Sequence, residues 1–322
     1  MPKKALITGI SGQDGSYLAR FLLAKGYDVV GSSRGKGPAS SFPNLERLGI
    51  ANQVAVESVS LADRQSVVQA VKKHAPDEIY NLAGQSSVGL SFEQPFETIE
   101  SITVATLNLL EAIRVLQMPI RLFNAGSGDC FGNTGGKPAD ENTPFRPQSP
   151  YGAARAAAFW EVSSYREAYN IFACSGILFN HESPLRPDRF VTRKIVRTAC
   201  RIAKGSPEKL NLGNIDVQRD WGWAPEYVEA MWLMLQQQAP EDYIIATGET
   251  HPLEDFVQAV FASLNLDWQE HVNQNPDLLR PTDVLISRAN PAKAANKLNW
   301  KAKYMMPDVA DMLVQAELKL IS

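Results

Sequence analysis

Lys4 to Gly26, KALITGISGQDGSYLARFLLAKG, decides how the rest of the chain is read. Its apolar run Ala5-Leu6-Ile7 reads as a buried parallel strand. The chain then turns through Gly9, Gly12 and Gly15, after which Tyr17, Leu18, Phe21 and Leu22 recur at helical spacing. Strand, glycine turn and helix together make a phosphate site. Missing Cβ atoms let a pyrophosphate approach the backbone, and the helix N-terminus offers free N–H groups and a positive dipole end. The G-x-x-G-x-x-G spacing is one residue longer in its first gap than the common dinucleotide fingerprint, and alone it is a weak signal. The strand-turn-helix context and a second strand at Asp28–Ser32 give it weight.

The second strand runs into Ser33-Arg34-Gly35-Lys36. An acid here would accept from the ribose hydroxyls of NAD, whereas a guanidinium followed by an ammonium suits the 2′-phosphate of NADP. A solvated basic turn is the alternative reading. Further on, Val54–Ser58 reads as a third strand and Ala62–His74 as a helix. Asp77–Ala83 is the fourth strand, ending in the small residues Gly84-Gln85-Ser86-Ser87, over which a cofactor could lie close. Phe96–Leu116 reads as one long amphipathic helix and Ile120–Ala125 as the fifth strand.

Gly126-Ser127-Gly128-Asp129 places a hydroxyl and a carboxylate at a strand's carboxyl end, where such a pair can move protons. Ordinary turn composition explains the same residues. Ser149-Pro150 opens a helix with a capping hydroxyl and a proline in the first turn, and Tyr151 and Arg155 share one of its faces. Trp160, Tyr165 and Tyr169 are expected to pack. A sixth strand, Ile171–Phe179, delivers Asn180-His181-Glu182-Ser183-Pro184; His181 is either a ligand group or a satisfied core-edge histidine. No metal is proposed, since H-x-x-x-H spacing is absent. The basic run from Arg186 to Lys209 is either a solvated helix face or a diphosphate holder. Tyr243–Thr247 reads as a further sheet strand.

The chain's 322 residues and 44% hydrophobic content suit one large α/β body with a smaller appended part. A net charge of −3 without a long basic run argues against nucleic acid as a partner. Three cysteines, Cys130, Cys174 and Cys200, have no metal-like spacing and read as reduced thiols of a cytoplasmic protein. The first strand begins too early to leave room for a signal peptide, and no apolar run approaches the roughly 20 residues of a membrane span.

At this point the motifs are specific enough to resemble one family. ALITGISGQDGSYLARFLLAKGY at 5–27, NLAGQSSVGLSFEQP at 81–95, SPYGAAR at 149–155, GILFNHESPLR at 176–186, FVTRKI at 190–195, LGNIDVQRDWG at 212–222 and RPTDV at 280–284 are similar to the GDP-mannose 4,6-dehydratases, extended short-chain dehydrogenases/reductases. The resemblance implies a doubly wound parallel (Rossmann) sheet binding NADP and a smaller, interleaved C-terminal domain binding GDP-mannose or a related GDP-sugar. Residues 1–180 plus about 220–248 would form the first domain, and about 181–219 plus 249–322 the second. It implies a lyase reaction to GDP-4-keto-6-deoxymannose in which NADP is recycled, and a homodimer or homotetramer.

Residue by residue, the resemblance makes Tyr151 the base at C4, Ser127 the hydroxyl partner and Asp129 the carboxylate working at C5 and C6. Gly9, Gly12, Gln13, Asp14, Gly15, Arg34, Leu82, Ala83, Gln85, Tyr151, Arg155, His181 and Arg186 would hold the coenzyme. Ser87, Asn180, Val191, Lys194, Arg219, Arg280 and Asp283 would hold the substrate. The chain departs from the family near the chemistry. Ser127 stands for threonine, Asp129 for glutamate, Phe131 for tyrosine, Arg155 for lysine and Asp283 for glutamate, while Ser60-Leu61 replaces Asp-Leu. A GDP-sugar 4-epimerase or 4-keto reductase, a dehydratase of a related GDP-sugar, and a GDP-sugar binder with impaired turnover are the competing readings.

Overall fold

A computed structural model describes residues 2–33 and 42–321; the expectations for Arg34 and Lys36 lie outside the described residues. In chain order the strands are β1 (Lys4–Thr8), β2 (Asp28–Ser33), β3 (Ala55–Ser58), β4 (Glu78–Asn81), β5 (Arg121–Ser127), β6 (Ala173–Leu178), β7 (Asn180–Glu182), β8 (Leu210–Leu212), β9 (Gln218–Arg219), β10 (Trp221–Trp223), β11 (Tyr243–Ile245), β12 (His251–Pro252) and β13 (Val272–Gln274). Seven of them form one sheet in the order β11-β6-β5-β4-β1-β2-β3. Every pairing in it is parallel.

Both faces of this sheet are covered, which is why its strands read as apolar runs rather than alternating ones. Successive side chains feed opposite cores. Ala5, Ile7, Val29, Tyr80 and Phe123 pack under the helices Gln13–Ala24 and Ala224–Leu235. Leu6, Val30, Ile79 and Leu122 pack under Arg64–His74, Ala105–Leu116 and Pro150–Tyr169. A further core gathers the helices Val191–Ala203, Leu253–Ala262 and Met306–Ile321 around Ile195, Phe256, Phe261 and Leu313. A buried ion pair, Arg193 to Glu317 at 2.6 Å, ties the last of these helices to the first. Ala294, Leu298 and Trp300 pack instead into the first core beside β11.

Connections from β1 run outward through β2 and β3 on one side, and from β4 through β5, β6 and β11 on the other. The crevice of a doubly wound sheet opens at such a reversal, here between the carboxyl ends of β1 and β4. β4 stops two residues earlier than the sequence suggests. The N–H groups of Leu82 and Ala83 donate to Thr8 Oγ1 (3.2 and 3.3 Å), which folds the chain over the end of β1.

Two expectations gain detail. The helix expected over 96–116 runs unbroken from Pro95 to Leu116, with a π-helical turn, Glu100–Val104, set between the α-helical stretches Pro95–Ile99 and Ala105–Leu116. The wider turn sets the Ser101 hydroxyl under the loop after β4, where it accepts the Gln85 N–H (3.1 Å). Trp160 and Tyr169, expected to pack, do so at the surface: they are 61% and 52% exposed, Trp160 edge-on to Phe145 and Phe159 and Tyr169 against Tyr165, while Tyr165 turns inward and donates to Glu111 at 2.8 Å.

Candidate active site

A cleft of about 1110 Å³ lies across the carboxyl ends of the sheet. One rim comes from the glycine turn, the loop after β4, the end of β5 and the first turns of Pro150–Tyr169. The other comes from residues 186–194, 212–221 and 278–287.

At the glycine turn, Gly9 has φ +72°, and a Cβ there would lie 2.9 Å from both Ala83 N and Leu82 O. Gly15 packs as tightly on Ile10, whose Cα would be 2.8 Å from an added Cβ. Glycine is therefore dictated by backbone approach at both positions. Gly12 caps the helix Gln13–Ala24 without a side-chain hydrogen bond. Its first N–H groups are left for an anion, as a coenzyme pyrophosphate requires.

Gln13 and Asp14, in that first helical turn, meet the block after β6. His181 Nε2 donates to Asp14 Oδ2 (3.0 Å) and Nδ1 to the Phe179 carbonyl (2.7 Å). Gln13 Nε2 donates to the His181 carbonyl (3.1 Å) and its Oε1 accepts from Ser183 Oγ (2.7 Å). The imidazole is stacked on Tyr227, centroids 4.5 Å apart. Burial opposes ionisation of Asp14, but the charge and hydrogen bond of His181 hold its carboxyl down at about 2. Burial likewise works against the charged His181, yet Asp14 raises its pKa above the ordinary 6.5.

At the end of β5, Ser127 Oγ donates to Asp129 Oδ2 (3.1 Å) and accepts the Asp129 N–H (3.2 Å). The adjoining helix starts where Ser149 Oγ accepts the Gly152 N–H (3.0 Å). Its first turn rests on the Asp129 carbonyl, 2.7 Å from a Cβ placed on Gly152. Tyr151 thus projects from a helix end seated on the Ser127–Asp129 turn. Arg155, one turn on, is 5% exposed; its Nη1 donates to the Ala125 carbonyl (2.7 Å) and its guanidinium carbon lies 5.4 Å from the Tyr151 ring centre. Its Nε has no partner among the described residues. A buried cation with one carbonyl and no carboxylate is costly unless something in the cleft completes its shell.

Leu82, Ala83 and Ser87 line the cleft, but Gln85 does not. Its amide donates to the Ser87 carbonyl (2.8 Å) and Thr98 Oγ1 (3.2 Å), and its Oε1 accepts the Ser87 N–H. The side chain is consumed in shaping the loop beside the cleft.

On the opposite rim, Asn180, Arg186, Val191, Lys194, Arg219, Arg280 and Asp283 all line the cleft. Their charges are held by partners: Arg219 on Asp283 (2.7 Å), Arg280 on Asp283 (3.6 Å), Arg186 on Glu182 (3.3 Å) and Lys194 on the Asn211 carbonyl (2.6 Å). Sequence reasoning missed an apolar wall here. Leu278, Leu279 and Leu285 line the mouth and are exposed. Their signal was leucines between the polar turn residues of 275–285, a poor place for core.

A doubly wound sheet with a glycine turn at its switch point, and a tyrosine four residues before a buried cation on the helix facing it, defines an extended short-chain dehydrogenase/reductase. The model of the GDP-mannose 4,6 dehydratase family matches residues 6–313, and the chain belongs to that family. GDP-mannose 4,6 dehydratase 1 of Arabidopsis thaliana is 45% identical over 336 residues, covering 99% of this chain and 91% of that protein. Among solved structures, UDP-glucose 4-epimerase of Thermotoga maritima, with UDP-glucose, matches with a TM-score of 0.88 at 22% identity, covering 99% of this chain and 100% of that one. UDP-glucose 4-epimerase of Thermus thermophilus, in complex with NAD, matches at 0.83 and 27% identity, covering 98% of each chain.

Proposed function

We propose that the protein dehydrates GDP-mannose to GDP-4-keto-6-deoxymannose, using NADP held at the glycine turn. The observation that carries this reading is the grouping of Ser127, Asp129, Tyr151 and Arg155 on one rim of the cleft, beside a helix N-terminus without a side-chain cap. The cradle at Gly9 and Gly15, where a Cβ would collide with backbone, fits a pyrophosphate lying close to the chain. The Thermus thermophilus epimerase, bound to NAD, supports a nicotinamide coenzyme; the choice of NADP rests on Arg34 and Lys36.

When bound, the coenzyme would take up the hydride lost at C4 and restore it at C6 after water has left, while C5 regains a proton, so that no external reductant is consumed. Tyr151 takes the proton of the sugar 4-hydroxyl. Arg155 places positive charge beside the Tyr151 ring, where the reacting sugar would lie. Once C4 is a ketone the C5 proton is acidic, and the Asp129 carboxylate removes it and protonates the departing 6-hydroxyl. Ser127, donating to Asp129, fixes which oxygen of that carboxylate is free. Arg186, Lys194, Arg219 and Arg280 supply the charge for the GDP diphosphate, with Asn180, Val191, Ser87 and Asp283 around the sugar and base.

Residues 1–180 with 220–248 are the coenzyme-binding part in this reading, and 181–219 with 249–322 the sugar-nucleotide part, apart from the 292–302 stretch that packs on the first core. We also infer a homodimer or homotetramer. The adjacent helices Pro95–Ile99 and Pro150–Tyr169 leave Phe96 (88%) and Trp160 (61%) exposed, and native mass spectrometry reports the copy number. The decisive assay incubates the protein with NADP+ and GDP-mannose. A product lighter by one water is expected. A product of unchanged mass would move the assignment to a 4-epimerase, and no product at all, with both ligands bound, would reject turnover.

A further inference from the structure

Asp14 poses an electrostatic difficulty. It sits in the first turn of the very helix whose free N–H groups would receive the coenzyme's diphosphate, and a carboxylate there repels a second anion. Both nitrogens of His181 face acceptors, the Phe179 carbonyl at 2.7 Å and Asp14 Oδ2 at 3.0 Å. Neither a carbonyl nor a carboxylate donates, so the ring carries two hydrogens and a positive charge. Stacking on Tyr227 and the Gln13 bond to the His181 carbonyl fix the imidazole in that position.

We propose that His181 is a positioning residue that acts through Asp14: by pairing with the carboxylate it cancels the negative charge at the helix N-terminus and so admits the coenzyme's diphosphate. This rests on the coenzyme site assigned above, but it changes what His181 does there. His181 spends both ring nitrogens on protein acceptors, and its contribution to coenzyme affinity is indirect. Asp14 in turn is retained as the anchor that joins the glycine turn to β7. The raised pKa of His181 and the lowered one of Asp14 agree with an ion pair.

The two single variants and the double variant make the idea testable by binding alone. Titrate NADP+ into full-length wild type, Asp14→Asn, His181→Gln and the double variant, by calorimetry at one pH and ionic strength. His181→Gln leaves the Asp14 carboxylate without its paired cation, held only by the Gln13 amide at 3.0 Å, and is expected to weaken NADP+ by about tenfold. Asp14→Asn removes the repulsion and is expected to bind as tightly as wild type or a few-fold tighter. The double variant is expected to recover most of the affinity lost in His181→Gln, because no charge remains to be cancelled. A merely structural pair would instead lower melting temperatures and weaken binding in both single variants. A double variant as weak as His181→Gln, or an Asp14→Asn as weak as His181→Gln, overturns the proposal. Should His181→Gln fail to fold, Asp14→Asn alone still decides, since weaker binding contradicts the repulsion. Wild type that refuses NADP+ and NAD+ alike would instead bring down the coenzyme site itself.

Discussion

The two rims of the cleft are built on different principles. On the sheet rim, polar groups are fixed by main chain: Thr8 holds the Leu82 and Ala83 amides, Ser149 caps Gly152, and Arg155 is pinned to the Ala125 carbonyl. On the other rim, charge is held mostly by charge, with Asp283 between Arg219 and Arg280, and Glu182 against Arg186. Main-chain partners cannot leave, so the first rim is preorganised for chemistry. The partly exposed Asp283 pairs can be traded for a ligand's phosphate at modest cost, whereas buried Glu182 stays with Arg186. Reaction geometry and ligand capture are thereby separated within one cleft.

If that contrast is right, the sheet rim should tolerate change least. Tyr151→Phe removes the proton acceptor while keeping the ring against Arg155. Turnover is expected to fall by roughly 10³-fold or more, with GDP affinity unchanged. Measuring kcat alongside GDP binding checks this, and a variant that loses GDP affinity instead would mean that Tyr151 belongs with the capture rim.

A pair of carboxylates sharpens the comparison through pH. Asp14, on the sheet rim, is opposed by burial but held at about 2 by His181. Asp220, beside Arg219, is pushed by burial up to about 6, because the Thr247 and Gly248 donors offset that burial only in part. A lowered acid contributes stability above its unfolded pKa, near 3.8, which is lost as pH falls toward 2. A raised acid does the reverse: the fold is favoured while it is protonated, and that advantage disappears as pH climbs from 3.8 through 6. Each acid is expected to move stability by about 2 kcal/mol over its own window. Denaturant melts from pH 2 to 7 should show Asp14→Asn flattening the limb below 4 and Asp220→Asn flattening the limb between 4 and 6. Interchanged effects would mean the causes are misassigned.

Arg155→Lys restores the family's residue and tests whether the arginine is a lesion or an adaptation. The guanidinium reaches Ala125 with one nitrogen while presenting others to the cleft, and lysine has no such fork. Turnover is expected to drop about tenfold, as a misplaced catalytic charge predicts. A rise in turnover would show that arginine impairs this chain.

What could be read from the amino-acid order follows the same division. The glycine turn, the parallel strands and the Tyr151–Arg155 spacing are local patterns, and each fell close to where its period put it, β4 and β11 ending two residues short. The π-turn at Glu100–Val104 was invisible, because an apolar face continues through it without a change of residue type. The internal bonds of Gln85 were not legible, because loop composition says nothing about whether an amide satisfies itself on Ser87 and Thr98. The ion pairs of the other rim join residues far apart, Arg219 and Asp283 being 64 positions distant, and no spacing rule encodes such a contact. Family resemblance assigned both residues to the substrate, but it did not foresee that they hold each other.

That mutual hold yields the smallest effect and the most direct test of exchangeability. Asp283 is the acid that Arg219 grips at 2.7 Å and Arg280 approaches at 3.6 Å, and all three line the cleft. On the proposed function, an arriving diphosphate would have to take these guanidinium groups from the carboxylate. The net gain is then the phosphate contact minus the ion pair given up, and a partly exposed pair is worth only about 0.2–1 kcal/mol. Asp283→Ala should therefore tighten inorganic pyrophosphate by roughly threefold at low salt, a gain that fades as added salt screens the charges. GDP gains the same diphosphate contact but loses whatever Asp283 gives the base, so it should tighten less than pyrophosphate does. Equal tightening of the two would remove Asp283 from base recognition. Weaker pyrophosphate binding would show that the carboxylate orients the arginines for the ligand instead of competing with it, and the second rim would then be as preorganised as the first.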